Sequence, residues 1–421
     1  MMEKVGKYIT NYIKGKTPKV LLSTEEADSL PYLSPDYLRG VDVPEFYAKQ
    51  DSKSIVIDDG EVIVLWDGSN AGEILISKKG VLASTMTMLQ IDETQIDKAY
   101  FGYSFQNLEY ILKAKTAGSG IPHADKGVVS KLEFYKPSLP EQSAIAAMLS
   151  KVDEAIAAVQ ASIAAAERLK KSLMQNLLTG RMKPDGTLRK EDEFYVDEKF
   201  GRVPKGWEVK KVGEVFDSYP TASYSRSKLL ETGNCKYIHY GDIHTKFDTF
   251  LDVSNTELPF VSDDMIKNFV FLKDGDIVIA DTSEDYEGVG KLVEIRNVGE
   301  NKVISGLHTL LIRSKSDTLI NGYKGYMFNE ERVMLSLLKY VTGIKVYSIS
   351  KSCLARVLIP IPTKEEQKQI KSKLDSVNSM IQQKKDEICS LERLKKSLMQ
   401  NLLTGRVRVK EKKSLKINKL G

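Results

Sequence analysis

The chain has 421 residues, 42% hydrophobic and 28% charged, a balance that suits two to four folded domains and excludes a disordered or fibrous polypeptide. No run of about 18 apolar residues occurs, so no membrane-spanning helix is expected, and the widely spaced Cys235, Cys353 and Cys389 exclude a disulfide framework or a cysteine-based zinc pattern. The net charge of +5 says little about the body of the protein, because residues 406–421 carry seven Lys/Arg against Glu411 alone; nucleic-acid binding would need local basic patches or a partner's contacts.

In chain order, MMEKVGKYITNYIKGK lacks the apolar core and cleavage site of a signal peptide, so a cytoplasmic protein is expected. Residues 1–135 carry short β-type runs (SIVID, EVIVLW, EILIS, VLASTMTML) between turn residues, with a helical stretch around FGYSFQNLEYILKAK, which predicts an α+β domain. Over 136–182, after Pro137 and Pro140, apolar residues alternate by three and four: Ile145, Leu149, Val152, Ile156, Val159, Ile163, Ala166, Leu173 and Leu177. That spacing is a coiled-coil seam on a rod of roughly 55 Å, closed by Gly180 in the left-handed cap position. A charged, turn-rich connector (183–199) leads to a second α+β domain over 200–360, with runs such as KYIHYGDI, DIVIA, KLVEI and KVISGLHTLLIR. A second long helix over 361–406 repeats the seam at Ile370, Leu374, Val377, Ile381, Ile388, Leu391, Leu398 and Leu402, with Gly405 as its cap. Lys170, Lys384 and Lys395 interrupt the seams. The basic tail, 407–421, reads as a solvated end.

The halves are copies. ERLKKSLMQNLLTGR stands at 167–181 and again, letter for letter, at 392–406. The same offset of 225 pairs Glu141-Gln142 with Glu366-Gln367, Gly118 with Gly343, Lys126 with Lys351 and Pro137 with Pro362. Further upstream the offset drifts with loop length, yet Asp59-Gly60 still answers Asp274-Gly275 and Lys4-Val5-Gly6 answers Lys211-Val212-Gly213. Nothing before Lys4 answers Phe200–Lys210, so the first domain either lacks that edge or borrows it from elsewhere in the chain. The matched rods predict a pseudo-twofold protein: two tandem α+β domains separated by two long helices that pack as an antiparallel coiled coil.

No catalytic pattern emerges. There is no Asn-Pro-Pro-aromatic motif, no Walker lysine loop, and DGSNAG at 67–72 reads as a turn. His239, Asp242 and His244 in IHYGDIH raise a metal site, but a loop facing a ligand is the better reading, and no metal is expected.

Taken together, VPKGWEVKKVGEVF, DGDIVIADTSEDYEGVGK, VTGIKVYSISKSCLARVLIPIP, EEQKQI and the duplicated helix resemble the DNA-specificity subunits of type I restriction–modification systems, over nearly the whole chain. The resemblance implies a non-catalytic, sequence-specific DNA-recognition subunit. Each target-recognition domain would read half of a split, asymmetric duplex site, the helices would set the gap, and two adenine methyltransferase subunits would dock, with restriction/translocase subunits joining through them. No cofactor would sit on this chain; S-adenosylmethionine belongs to the methyltransferase partner, ATP and Mg to the restriction partner. The alternatives are a protein-only coiled-coil scaffold and a catalytic nuclease. Candidate DNA contacts on loops of the first domain are Lys16, Thr17, Lys19, Trp66, Ser69, Asn70, Ser119, His123 and Lys126. Those of the second are Tyr224, Arg226, Tyr240, Asp242, His244, Asp281, Thr282, Tyr286, His308, Lys345, Tyr347 and Lys351. The repeated helix ends offer partner contacts at Lys170, Lys171, Gln175 and Asn176, and again at Lys395, Lys396, Gln400 and Asn401.

Overall fold

A computed structural model describes residues 1–41, 43–49, 54–116, 122–266, 269–286 and 288–409. The chain divides into two compact units, and the first is discontinuous: it joins residues 1–161 to the chain from 384 onward, while 162–383 form the second. The long helices α1 (Leu139–Leu178) and α2 (Lys364–Leu402) each contribute to both units.

In the first unit, β1 (Ile9–Lys14), β2 (Val62–Leu65), β3 (Ile74–Ile76) and β4 (Met86–Ile91) form an antiparallel sheet in the order β1-β4-β2-β3. All four residues of β2 are buried, because both faces of the sheet are covered. Val62 and Val64 face a core with Tyr100, Phe101 and Phe105, while Ile63 and Leu65 face Leu33 and Leu82. Ile145, Ala146 and Leu149 of α1 close the first core together with Leu402 and Leu403 from the end of α2. Each such leucine stabilises the unit by about 1.5–3 kcal/mol through apolar burial.

The second unit repeats this plan. β5 (Phe216–Tyr219), β6 (Phe250–Asp252), β7 (Ile277–Ala280), β8 (Leu292–Arg296) and β9 (Thr309–Ser314) pair in the order β5-β9-β7-β8-β6, antiparallel except for β6 with β8. Tyr219 of β5 opposes Leu311 as Tyr12 of β1 opposes Leu89, the register that the internal repeat requires. Each unit also has a parallel pair, Ser29–Leu33 beside Gly80–Leu82 and Cys235–Ile238 beside Lys302–Ser305.

The helices run antiparallel. Within the second unit, Leu177 and Leu178 share a core with Ile370 and Leu374, and Ala166 meets Val377 and Ile381. Within the first, Asp153 pairs with Lys395 at 2.6 Å and Glu141 with Arg408 at 2.7 Å. The heptad pattern overstates the seam: Ile145, Leu149, Leu177, Ile370, Leu374 and Leu402 lie in the globular cores instead. A heptad marks an apolar face and not what covers it.

Part of the edge has its counterpart after all, since Met2–Lys4 pairs with Glu133–Tyr135 as Glu208–Lys211 pairs with Leu358–Ile361, and the contacts of the rest are replaced from elsewhere in the chain. In the second unit, Arg189 and the Trp207 indole (Nε1, 2.7 Å) donate to Glu366. At the equivalent Glu141, Arg408 donates from Nε at 2.8 Å and Nη2 at 2.7 Å, and the Val409 amide donates at 3.2 Å. The Arg408 guanidinium holds the buried Glu141 carboxyl below its ordinary range, against the effect of burial.

Candidate nucleic-acid interface

In each unit several of the candidate residues lie near one place, the end of the buried central strand. In the first unit β2 runs into Trp66 and Asp67, and Asp67 bridges His123 across an isolated strand contact. His123 Nδ1 lies 2.6 Å from Asp67 Oδ1, and the exposed Lys14 donates to Oδ2 at 2.9 Å. Partial burial opposes ionisation of Asp67, but the Lys14 and His123 contacts outweigh it and hold the carboxyl low. Trp66 meets Tyr12 edge-on at 6.0 Å between centroids, and Lys126 Nζ sits 4.9 Å over the Tyr12 ring. Lys16, Thr17 and Lys19 follow β1 as an exposed segment, where Thr17 bonds Ser84 at 3.0 Å next to Thr85, whose carbonyl accepts the Trp66 amide at 2.7 Å. Ser69 and Asn70 are exposed in the turn after Asp67. Ser119 lies outside the described residues.

In the second unit β7 runs into Asp281 and Thr282, and Thr282 pairs with Ser348, the position equivalent to His123. A continuous chain of contacts spreads from there. The Asp281 amide donates to the His308 carbonyl at 3.1 Å, His308 meets Tyr240 at 5.3 Å, and Tyr240 stacks near His239 at 4.7 Å. His308 holds a positive φ of 55°, which aims this loop residue at the cluster at some backbone cost. His244 contacts the Thr282 carbonyl through Nε2 at 3.0 Å. On the other side, Tyr347 packs edge-on against Tyr286 at 5.4 Å, beside the exposed Lys345, and Lys351 donates to the Tyr219 carbonyl at 3.1 Å. Lys126 and Lys351 thus attend equivalent tyrosines.

Two residues differ from the sequence reading. Asp242 is buried, with its Oδ1 3.0 Å from both Arg226 and Lys246, so its carboxylate serves those cations and not a base edge. Tyr224 spends its hydroxyl on the Met265 carbonyl at 2.8 Å. Lys14, Asp67, Tyr12 and Lys246 were missed. Lys14 and Asp67 open KGKTPK and DGSNAG, but nothing in a linear string says that β1, β2 and His123 converge. Among the described residues no group of three or more His, Cys, Asp or Glu is placed to hold a metal ion, and no helix is long and apolar enough to cross a membrane.

The repeated helix ends fold alike. Asn176 and Asn401 donate to the Ser172 and Ser397 carbonyls at 2.8 and 2.9 Å, and Gly180 and Gly405 cap at φ 68° and 73°. Lys170 pairs with Asp248 at 3.2 Å as Lys395 pairs with Asp153. Lys171, Gln175, Lys396 and Gln400 are exposed. Lys170, Lys171 and Gln175 also line an open cleft of about 590 Å³ with Glu330 and Glu331.

The family profile described as type I restriction modification DNA specificity domain matches residues 7–168 and 204–393. The type I restriction enzyme MjaVIII specificity subunit of Methanocaldococcus jannaschii is 32% identical over 409 residues, 97% of this chain and 92% of the relative. The putative type I restriction enzyme MjaX specificity subunit of the same organism is 24% identical over 339 residues, 77% of this chain and 72% of the relative. The crystal structure of the type I restriction–modification S subunit from M. genitalium matches with a TM-score of 0.57 over 96% of each chain, at 15% identity. A chain from a structural study of complex assembly and conformational transition of the type I R-M system gives 0.55 over 97% of this chain and 98% of that one, at 17% identity. These two structures bear on the fold; the twofold profile match and the MjaVIII relative establish the family. The chain belongs to the DNA-specificity subunits of type I restriction–modification systems, the component that recognises DNA and leaves catalysis to other subunits.

Proposed function

We propose that each unit reads one half of a split, asymmetric duplex site, that the paired helices fix the gap, and that two methyltransferase subunits dock at the two helix ends. The observation that supports this most directly is a matched scaffold with unmatched tips. β2 and β7 are equivalent buried strands, but one ends in Trp66-Asp67-His123 and the other in Asp281-Thr282 with the Tyr240–His308 cluster. Unlike side chains on one frame read unlike base edges, while lysines such as Lys126 and Lys351 suit the phosphates that every sequence shares. The exposed Lys171 and Gln175 with their copies Lys396 and Gln400 suit two copies of one partner. S-adenosylmethionine would then act on the methyltransferase, and ATP with Mg on a restriction/translocase subunit, with no cofactor on this chain and a cytoplasmic setting for all of them.

The test is an exchange of residues 200–360 for the equivalent domain of a relative, followed by sequencing of methylated sites in the host genome. One half of the methylated motif should change and the other persist. A motif altered in both halves would refute independent reading.

A further inference from the structure

Asp242 lies on the short helix Tyr240–Thr245 and is 1% exposed, yet it is ringed by cations that are not buried. Its Oδ1 is 3.0 Å from Arg226 Nη2 and 3.0 Å from Lys246 Nζ, whose side chains are 52% and 56% exposed. Neither cation approaches along a hydrogen-bonding direction, and Oδ2 meets no donor among the described residues. A carboxylate desolvated this far, without a directed hydrogen bond, is a poor stabilising element in its own right. It is a good electrostatic anchor. The Arg226 Nη2 also stands 3.4 Å from His239 Nδ1, and that nitrogen already accepts the Gly241 amide at 3.1 Å, so the ring is neutral and adds no charge. Two cations against one carboxylate leave a net positive charge, with the outer faces of both cations in solvent.

Arg226 and Lys246 line one open cleft of about 840 Å³, which Lys236, Glu231 and Glu257 also line. The acids make bulk attraction of an anion weak there. A ligand has to bring an acceptor to the two cations, and a guanidinium drawn toward a buried carboxylate beside an imidazole is suited to that, because its charge is held in place before the ligand arrives. We infer that Asp242 is a positioning residue that does not touch DNA: it holds Arg226, with Lys246 beside it, toward acceptor atoms of the second half-site, either a guanine edge or a backbone phosphate. This rests on the half-site reading above.

The experiment uses the full chain with its methyltransferase subunits, a 40-bp duplex carrying the motif methylated in the host genome as probe, and fluorescence anisotropy at several salt concentrations. Arg226→Lys keeps the charge beside Asp242 and removes the fork, so it preserves folding; Asp242→Asn is checked by its melting temperature. Each should weaken binding roughly ten- to a hundred-fold. The double variant should lose less than the two single losses combined, since Asp242 acts in large part through Arg226. A guanine contact would relax one base of one half-site in the methylome. A phosphate contact would leave the motif intact and lower the salt slope by about 1 in Arg226→Gln. Either result supports the assignment. Arg226→Gln with unchanged affinity, motif and salt slope overturns it, as do losses that add in the double variant; should Asp242→Asn fail to fold, Arg226→Gln alone decides. A wild-type complex that ignores the duplex would instead refute the half-site reading, and the inference with it.

Discussion

Leu402→Ala should loosen the unit built on residues 1–161, although Leu402 follows the whole second domain in sequence. Leu402 is 4% exposed in the same core as Phe101, Ile145 and Leu149, and its copy Leu177 is 0% exposed in the core with Trp207 and Ile370. A buried Leu→Ala change costs about 2–5 kcal/mol, and each 1.4 kcal/mol is tenfold in an opening equilibrium, so amide protection should fall by roughly thirty-fold to a few thousand-fold. Hydrogen exchange read by mass spectrometry assigns that loss to peptides. For Leu402→Ala, faster exchange should appear in β2, β4 and the helix Lys98–Gln106, with β7 and β9 unchanged. For Leu177→Ala the pattern should reverse. If Leu402→Ala instead loosened β7 and β9, the assignment of the helix ends to the two cores would be wrong.

Removing one heptad from each long helix, within 152–166 and 377–391, keeps the seam in phase and shortens it by about 10 Å, roughly three base pairs of duplex; the methylated half-sites should persist while their gap shifts, and an unchanged gap would show that the rods are not the ruler. Changing Lys171 and Gln175 to Glu should remove one methyltransferase subunit, and adding Lys396→Glu and Gln400→Glu should remove the second; a 2:1 complex retained by the quadruple variant in native mass spectrometry would refute docking at these ends. Glu73 is held below its ordinary pKa, chiefly by its hydrogen bonds to Arg39, against the effect of burial. Its stabilisation is therefore complete above the ordinary glutamate value of about 4.3 and is lost as pH falls through the lower folded value. Urea midpoints of wild type and Glu73→Gln should differ at neutral pH and converge in acid, and a difference that widens in acid would contradict that sign.

The fold was legible where periodicity and duplication carry it. Two α+β domains and two matched rods follow from the internal repeat, and the repeat, drifting in offset toward the N-terminus, even anticipates strand register, since Met2 opposes Tyr135 as Val209 opposes Pro360. What a string cannot show is which surface receives a given apolar face. The fifteen identical residues meet different neighbours: a side chain at Gly180 would strike Pro204, and one at Gly405 would strike the ring of Tyr135. The candidate tips were legible as residue types and not as a set, and Asp242 shows why, since its neighbour Arg226 stands sixteen residues upstream and only the fold brings the two together. The identity of the two helix ends then separates into parts with different causes. Leu177-Leu178 and Leu402-Leu403 are fixed by burial, and the two glycines by a left-handed backbone. Thr179 and Thr404 close the last turn on the Gln175 and Gln400 carbonyls, which any residue could supply. Neither core nor cap requires the exposed side chains of Lys171, Gln175, Lys396 and Gln400 to be the same twice. The docking of one partner at each end, as proposed, would require it, and the quadruple variant tests that requirement directly.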